Sequence, residues 1–262
     1  MNFKKVFRNF FRLIPFNQSY SRIVYEVVCK RVLKNSKIGD FRPSIICSPE
    51  NKEISKELIN IINKAINIST KTKLNFGNKN LNDYKFLNIF PGEHYRIINA
   101  IVKTLKPKCA VEIGTSTGLG TLSIRDGAPK FCNIITYDII PWNKLSMGTH
   151  LNKNYFKFNK IQQIIGDLSN DDFFKKNIHL LNKAEIIFMD APKDNFFEYD
   201  MLKKIMKLDH KKNKFLILDD IKFVNMIDLW NGIKSPKIDI TSFGHWSGTG
   251  LVDISKGLKF KD

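Results

Sequence analysis

Short apolar runs alternate with helical patterns from residue 92 to the end of the sequence. Five of these runs have the length and apolar content of strands: 109–114, 133–138, 160–167, 184–190 and 214–220. Amphipathic spacing predicts helices between them, among these 92–105, 195–208 and 224–233. Strands that alternate with helices are typical of βαβ units, so the sequence predicts a parallel sheet with helices on its faces.

Two further apolar runs near the C-terminus predict a hairpin. They are "IDITSFG" and "GLVDIS", at 238–244 and 250–255, and a short segment that contains glycine joins them. A connection this short joins antiparallel strands. We therefore expect an α/β fold with a Rossmann-like sheet of seven strands, mostly parallel, with an antiparallel hairpin at its C-terminal end and additional helices at the N-terminus.

The positive charge of the chain is concentrated in its first part. The net charge is +18, and residues 1–110 contain 21 of the 43 Lys and Arg residues but only 7 of the 25 Asp and Glu residues. Such an excess attracts nucleic acid, anionic lipid or an anionic substrate. The abundance of Lys, Asn and Ile also fits an AT-rich coding bias, so charge alone does not select a partner.

The N-terminal third predicts helices that precede the alternating region. Residues 3–14 form a basic amphipathic pattern that ends before Pro15, and a second helix is expected at about 21–33. These helices fit contact with a membrane surface or a partner, and equally packing on the main domain or in a homodimer. With a third helix that begins at Ser48, we assign 1–91 to an N-terminal helical extension and 92–262 to the main domain.

Cysteine and histidine spacing gives no sign of a zinc site or a disulfide framework. The four cysteines lack a CxxC pair, and the five histidines are not spaced as ligands. A reducing cytoplasm fits this composition. No run of ~18 apolar residues is present, and the N-terminus lacks the separate apolar core of a secretory signal. We expect a cytoplasmic protein, with peripheral membrane contact if residues 3–14 bind lipid.

The first predicted strand leads into a glycine-rich loop, "VEIGTSTGLGT". Glu112 lies in the strand, and Gly114, Gly118 and Gly120 follow it. The spacing is neither that of a P-loop nor that of the GxGxxG pyrophosphate loop, which disfavours an NAD-dependent oxidoreductase. Asp138 ends the next strand, where a carboxylate can accept both hydroxyls of a ribose. The pattern therefore indicates a ligand that contains adenosine.

The order of these motifs resembles that of class I S-adenosylmethionine-dependent methyltransferases. E-x-G-x-x-x-G-x-G, the strand-ending Asp138 and then Gly-Asp at 166–167 follow one another within residues 92–256. The resemblance implies that the glycine loop lies under the methionine part of S-adenosylmethionine and that Asp138 binds the ribose. It also implies that Asp167 lies beside the adenine, and that Glu112 supports the loop and meets the cofactor's ammonium.

Three more carboxylates end the fourth and fifth predicted strands. Asp190 ends one strand, Asp219 and Asp220 end the next, and Lys193 follows Asp190 on its loop. Adjacent parallel strands lie ~4.8 Å apart, so these side chains can converge at one edge of the sheet. Three carboxylates without His or Cys suit Mg²⁺. A partly buried lysine close to a cation would have a lowered pKa, which a general base requires.

This second set of residues is similar to the site of cation-dependent O-methyltransferases of the catechol and caffeoyl-CoA types. "DAPK" and "LDD" resemble their D-x-x-K and D-N motifs, although Asp220 stands where Asn is usual and Pro192 lies inside the loop. The resemblance implies that Asp190, Asp219 and Asp220 hold Mg²⁺ and that Lys193 is the base. We therefore expect O-methylation of a hydroxyl on a small molecule or a glycan.

Two other functions stay open at the level of the sequence. Methylation of RNA or protein would fit the positive charge, although "DAPK" stands where enzymes that methylate base amino groups have Asn/Asp-Pro-Pro-aromatic. A non-catalytic nucleotide-binding module would bind the same cofactor without turnover.

The basic amphipathic segment at 3–14 yields a prediction about membranes. If it lies on a membrane surface, the full chain will co-sediment with anionic liposomes, and a chain that begins near residue 40 will not. The measurement is the bound fraction of each protein at low and at physiological salt. Equal partitioning of the two proteins would contradict the membrane role.

Overall fold

The computed structural model describes residues 55–90, 93–158, 160–194, 196–223 and 226–261. The helices predicted at 3–14 and 21–33 lie outside these residues. In chain order the described α-helices are α1 (Lys56–Ser69), α2 (Tyr95–Leu105), α3 (Leu119–Gly127), α4 (Lys153–Phe158), α5 (Asp171–Lys183), α6 (Phe196–Ile205) and α7 (Met226–Gly232). Short 3₁₀ helices occupy Asn82–Asn88, Trp142–Lys144 and Thr241–Phe243.

Within the described residues, seven strands form one sheet, as predicted. They are β1 (Cys109–Ile113), β2 (Asn133–Asp138), β3 (Ile161–Ile165), β4 (Ile186–Met189), β5 (Phe215–Asp219), β6 (Lys237–Asp239) and β7 (Thr249–Asp253). The order across the sheet is β3-β2-β1-β4-β5-β7-β6. The first five strands of this order are parallel, and β7 is antiparallel to both β5 and β6. The Rossmann-like fold and its antiparallel C-terminal hairpin are therefore confirmed.

The central strands are buried on both faces because helices cover the sheet from both sides. Every residue of β1, β4 and β5 is buried, which explains their continuous apolar runs. Alternate residues of these strands enter two different cores. Val111, Ile187 and Leu216 pack with residues of α5, α6 and α7. Ala110, Ile186 and their neighbours on the opposite face pack with α1 and α2.

Helix α1 belongs to this second core. Its start is capped by Ser55, whose hydroxyl accepts a hydrogen bond from the backbone N–H of Leu58. Its apolar stripe packs with α2 and with the sheet residues of the same cluster. The described residues lie within one compact unit, and the domain start expected at residue 92 stays a prediction.

The order of the strands reverses at the centre of the sheet, where β1 pairs with β2 on one side and with β4 on the other. In open α/β sheets, ligands bind outside the carboxyl ends of the strands at such a switch point. The loops that follow β1 and β4 therefore define the edge at which a site is expected. None of the described helices is long and apolar enough to cross a membrane.

The place of α1 in the core leads to a stability prediction. Ile62 is 3% exposed, so Ile62→Ala should lower the free energy of unfolding by about 2–5 kcal/mol, through lost burial and the cavity left behind. Lys64→Ala, on the exposed face of the same helix, is the matched control and should change stability by less than about 0.5 kcal/mol. Urea unfolding of both variants provides the test, and equal small effects would contradict the packing of α1.

Candidate active site

The glycine loop after β1 is held by Asp138 at the end of β2. One carboxylate oxygen, Oδ2, accepts hydrogen bonds from the backbone N–H groups of Thr115 and Ser116, at 3.0 and 2.9 Å. The other oxygen, Oδ1, accepts from the N–H of Ile140 at 3.0 Å. Asp138 thus fixes the loop and its own turn, and its role as a ribose ligand stays a prediction.

Glycine is required at two points of this loop. Gly114 has a φ of +101°, and a Cβ built there would lie 1.8 Å from the carbonyl oxygen of Asp190. Gly118 caps the start of α3 with a φ of +88°, and its Cβ would lie 2.4 Å from the side chain of Leu151. The loop therefore packs directly against the residue that follows β4 on one side and against Leu151 on the other.

Glu112 is buried beneath the loop. Its Oε2 accepts hydrogen bonds from the hydroxyls of Thr121 and Thr136, the latter at 2.7 Å. Its Oε1 lies so close to Gly120 that a Cβ there would be 2.3 Å away. Burial raises the pKa of Glu112 to about 8, even though the two threonine hydrogen bonds oppose this shift. These contacts tie β1 to the first turn of α3, as expected of a residue that supports the loop.

Asp167 lies in the turn between β3 and α5. Its Oδ1 accepts hydrogen bonds from the backbone N–H and the hydroxyl of Ser169, at 2.9 and 2.7 Å. Asn170 follows as the N-cap of α5. These bonds shape the turn, and the position of Asp167 beside an adenine stays a prediction.

The structure brings Asp190, Asp219 and Asp220, here termed the acidic cluster, together around the ammonium group of Lys193. The Nζ of Lys193 lies 2.6 Å from Asp190 Oδ1, 3.3 Å from Asp220 Oδ2 and 3.7 Å from Asp219 Oδ2. It also donates a hydrogen bond of 3.0 Å to the carbonyl oxygen of Ala191. The four residues that the two sequence motifs indicated therefore meet at one edge of the sheet.

The charge state of Lys193 differs from the expectation. Burial lowers its pKa, but the three carboxylates raise it by more, so the net pKa lies above that of an ordinary lysine. The fall expected from the sequence assumed a cation bound near the lysine. Asp219 shows the complementary effect, because His94 and Lys193 lower its pKa by more than burial raises it.

Two histidines that no sequence pattern had indicated border the acidic cluster. His94 precedes α2, and its Nδ1 lies 3.1 Å from Asp219 Oδ1. His245 lies between β6 and β7, with Nδ1 3.1 Å from Asp220 Oδ1 and Nε2 3.0 Å from Glu93 Oε2. Burial lowers the pKa of His245, but these two carboxylates raise it to about 10. Histidines therefore lie beside the three carboxylates, and the role of Asp190, Asp219 and Asp220 as metal ligands stays a prediction.

The donor atoms at this edge are spaced as cation ligands. His94, Asp190 and Asp219 offer one atom each within 4.8 Å of one another, and so do Asp219, Asp220 and His245. Both ring nitrogens of His94 and Oδ1 of Asp219 are buried without a hydrogen bond to any described residue. Buried polar atoms normally have such a partner, so this arrangement fits a divalent cation.

The loop that carries Lys193 is fixed by α6. The carboxylate of Glu198 accepts a hydrogen bond of 2.8 Å from the backbone N–H of Lys193, which has a φ of +61°. Asp194 accepts from the N–H groups of Phe196 and Phe197 at 2.9 and 2.8 Å and so caps the helix. Glu198 supports the site without having been indicated by the sequence pattern.

The raised pKa of Glu112 leads to a prediction about pH. Between the ordinary value of 4.5 and the folded-state value of about 8, the folded protein keeps a proton that the unfolded chain has released. The stability of the wild type therefore falls as pH rises through this range. Glu112→Gln lacks this group, so its melting temperature relative to wild type should rise steadily from pH 5 to pH 8.

Thermal melts without cofactor in buffers of equal ionic strength measure this difference. Glu57→Gln, at an exposed position in the first turn of α1, is the matched control for the removal of one carboxyl group. A difference for Glu112→Gln that does not change with pH would contradict the assignment of a buried, protonated carboxyl group.

Comparison with known proteins identifies similar sequences and folds. A family profile described as O-methyltransferase matches residues 52–235. The chain is similar in structure to the methyltransferase PaMTH1 of Podospora anserina bound to SAH, with 15% identity over 95% of this chain and 99% of that one and a TM-score of 0.42. It is also similar to an O-methyltransferase of Bacillus cereus in complex with SAH, with 13% identity, 74% and 91% coverage and a TM-score of 0.41.

TomG of Streptomyces achromogenes, an O-methyltransferase involved in tomaymycin synthesis and solved in complex with SAM, shares 12% identity over 64% of this chain and 79% of its own, with a TM-score of 0.44. A search of the curated proteins gave no match. Because the structural similarities are weak, the family assignment depends on the profile match.

Proposed function

We infer the reaction from the family: the chain belongs to the O-methyltransferase family and is an S-adenosylmethionine-dependent methyltransferase. We propose that it transfers the methyl group to a hydroxyl of a small molecule or a glycan, and that the acceptor binds at the acidic cluster. The nearness of the glycine loop to this cluster is the observation that carries the proposal.

The glycine loop and the acidic cluster are in direct contact where the ends of β1 and β4 meet. The backbone N–H of Asp190 donates a hydrogen bond of 2.9 Å to the carbonyl of Ile113, and Gly114 packs against the carbonyl of Asp190. A methyl donor above the loop and a hydroxyl at the cluster would therefore lie side by side. Methyl transfer is a direct displacement, and holding the two reactants in line supplies much of its rate.

Deprotonation of the acceptor is the second requirement. Asp190, Asp219 and Asp220 would hold Mg²⁺, which lowers the pKa of a hydroxyl bound to it. Lys193 lies within 4 Å of all three carboxylates. If a bound cation balanced their charge and the ammonium released its own proton to solvent, the resulting amine would be placed to take the hydroxyl proton. The acceptor oxygen then forms its bond to the methyl carbon as the bond from that carbon to sulfur breaks.

Exposed aromatic side chains next to the cluster support a ring-shaped acceptor. Trp246 follows His245 and is 64% exposed, and Phe196 begins the helix after the Lys193 loop and is 58% exposed. Large aromatic faces exposed beside a polar site can pack against the ring of a sugar or of an aromatic compound. This is consistent with a small-molecule or glycan acceptor in the cytoplasm.

The roles of the N-terminal segment follow from its charge and pattern. Contact of residues 3–14 with a membrane surface, or pairing of two chains, would bring the site close to a lipid-linked or shared acceptor. The alternative is that the positively charged segment binds RNA or a protein that is then methylated. A steep salt dependence of nucleic-acid binding would favour this alternative.

Cofactor and cation binding can be tested together by thermal stabilisation. S-adenosylhomocysteine should raise the melting temperature, and Mg²⁺ should raise it further in a way that EDTA reverses. Labelled S-adenosylmethionine, offered with catechols, glycans and cell extracts, would then identify the acceptor. No shift with S-adenosylhomocysteine would contradict cofactor binding, and a shift without any cation effect would remove only the cation.

Substitutions of Lys193 can distinguish a role as general base from a role as a fixed positive charge. If Lys193 is the base, Lys193→Met and Lys193→Arg should both lower kcat/KM by about 10²–10⁴-fold, because neither side chain accepts a proton at neutral pH. S-adenosylhomocysteine affinity serves as the control and should stay within a few-fold of wild type. Full activity of Lys193→Arg would show that charge alone is needed there.

A further inference from the structure

We propose that His94 is a nitrogen ligand of the cation held by the acidic cluster, so that the site prefers cations that bind imidazole, such as Mn²⁺, Co²⁺ or Zn²⁺, over Mg²⁺. The inference rests on the proposed cation site and adds to it the donor set and the resulting selectivity.

The burial of His94 is the first observation. Its side chain is 4% exposed, and neither ring nitrogen makes a hydrogen bond to any described residue. Nδ1 lies 3.1 Å from Asp219 Oδ1, yet that oxygen is also without a hydrogen bond, so the two atoms are close but poorly aligned. An unsatisfied buried polar group destabilises the folded protein. A cation between them would satisfy both atoms.

The imidazole of His94 is held in one place by aromatic contacts. It packs edge to face against Tyr95, Phe188 and His245, at ring-centroid distances of 4.6, 5.5 and 5.5 Å. Its ligand atom and those of Asp190 and Asp219 lie within 4.8 Å of one another. Ligands of one cation at ~2.0–2.2 Å lie up to ~4.4 Å apart, so only small side-chain movements are needed.

His245 provides a contrast at the same site. Its two nitrogens already face carboxylates, Nδ1 towards Asp220 and Nε2 towards Glu93. Nδ1 of His245 forms a hydrogen bond with Asp220, whereas neither ring nitrogen of His94 forms one with a described residue. Of the two histidines, His94 is therefore the one whose nitrogens are placed to bind a cation.

The chemistry of the donor set determines the selectivity. Carboxylate oxygens alone suit Mg²⁺, which keeps several waters. Imidazole nitrogen binds Mn²⁺ weakly and Co²⁺ and Zn²⁺ strongly, in the order of the Irving–Williams series. One nitrogen among three carboxylates therefore shifts the preference towards these ions without excluding Mg²⁺.

The test uses the full chain freed of metal and saturated with S-adenosylhomocysteine. Mn²⁺ bound to the wild type should show coupling to a directly bonded nitrogen in pulsed electron paramagnetic resonance. His94→Asn should abolish that coupling and weaken Co²⁺ binding by at least about 10-fold, while Mg²⁺ binding changes less. His245→Asn is the matched control and should keep the nitrogen coupling. Unchanged stabilisation by S-adenosylhomocysteine confirms that each variant is folded.

Tightly bound Mn²⁺ without nitrogen coupling in the wild type would overturn the inference, whatever the variants do. So would equal Co²⁺ affinity in wild type and His94→Asn. Either result leaves a cation site made of oxygen ligands, and the proposed methyl transfer stands. A protein that binds no divalent cation but transfers methyl groups would overturn the inference and remove the cation from the proposed function.

Discussion

The contact between Gly114 and the carbonyl of Asp190 is the constraint on which the site depends. It joins the end of β1 to the end of β4 so closely that no side chain fits between them. The backbone after β1 forms the glycine loop, and the backbone after β4 places Asp190, the first carboxylate of the acidic cluster. The position of the glycine loop relative to the acidic cluster is therefore determined by main-chain packing, which side-chain motion cannot loosen.

The parts of the fold that could be predicted from the sequence are those whose pattern has a single physical cause. The strands β1, β4 and β5 are buried on both faces, and such burial selects continuous apolar runs. The antiparallel pairing of β7 was predictable because only a short connection separates it from β6. Helix α5 was not assigned, although Asn170 caps its start and two acidic residues occupy its first turn.

The site was predictable only where its residues follow strand ends. Asp190, Lys193, Asp219 and Asp220 were indicated because parallel strands bring their carboxyl ends to one edge. His94 and His245 come from the segment before α2 and from the connection between β6 and β7. Neither position has a periodic or local signal, and their approach to the carboxylates requires the folded chain. The raised pKa of Lys193 likewise depends on three charges that meet only in space.

The salt bridge of Lys193 to the acidic cluster has a consequence for how the protein is made. A cluster of three carboxylates would oppose its own assembly, since each ionised group repels the others. An ammonium supplied by the same chain reduces that repulsion where the ends of β4 and β5 come together. The carboxylates at this edge of the sheet can therefore come together beside a positive charge from their own chain. The proposed divalent cation, if it binds, would add to or replace that charge after the edge has formed.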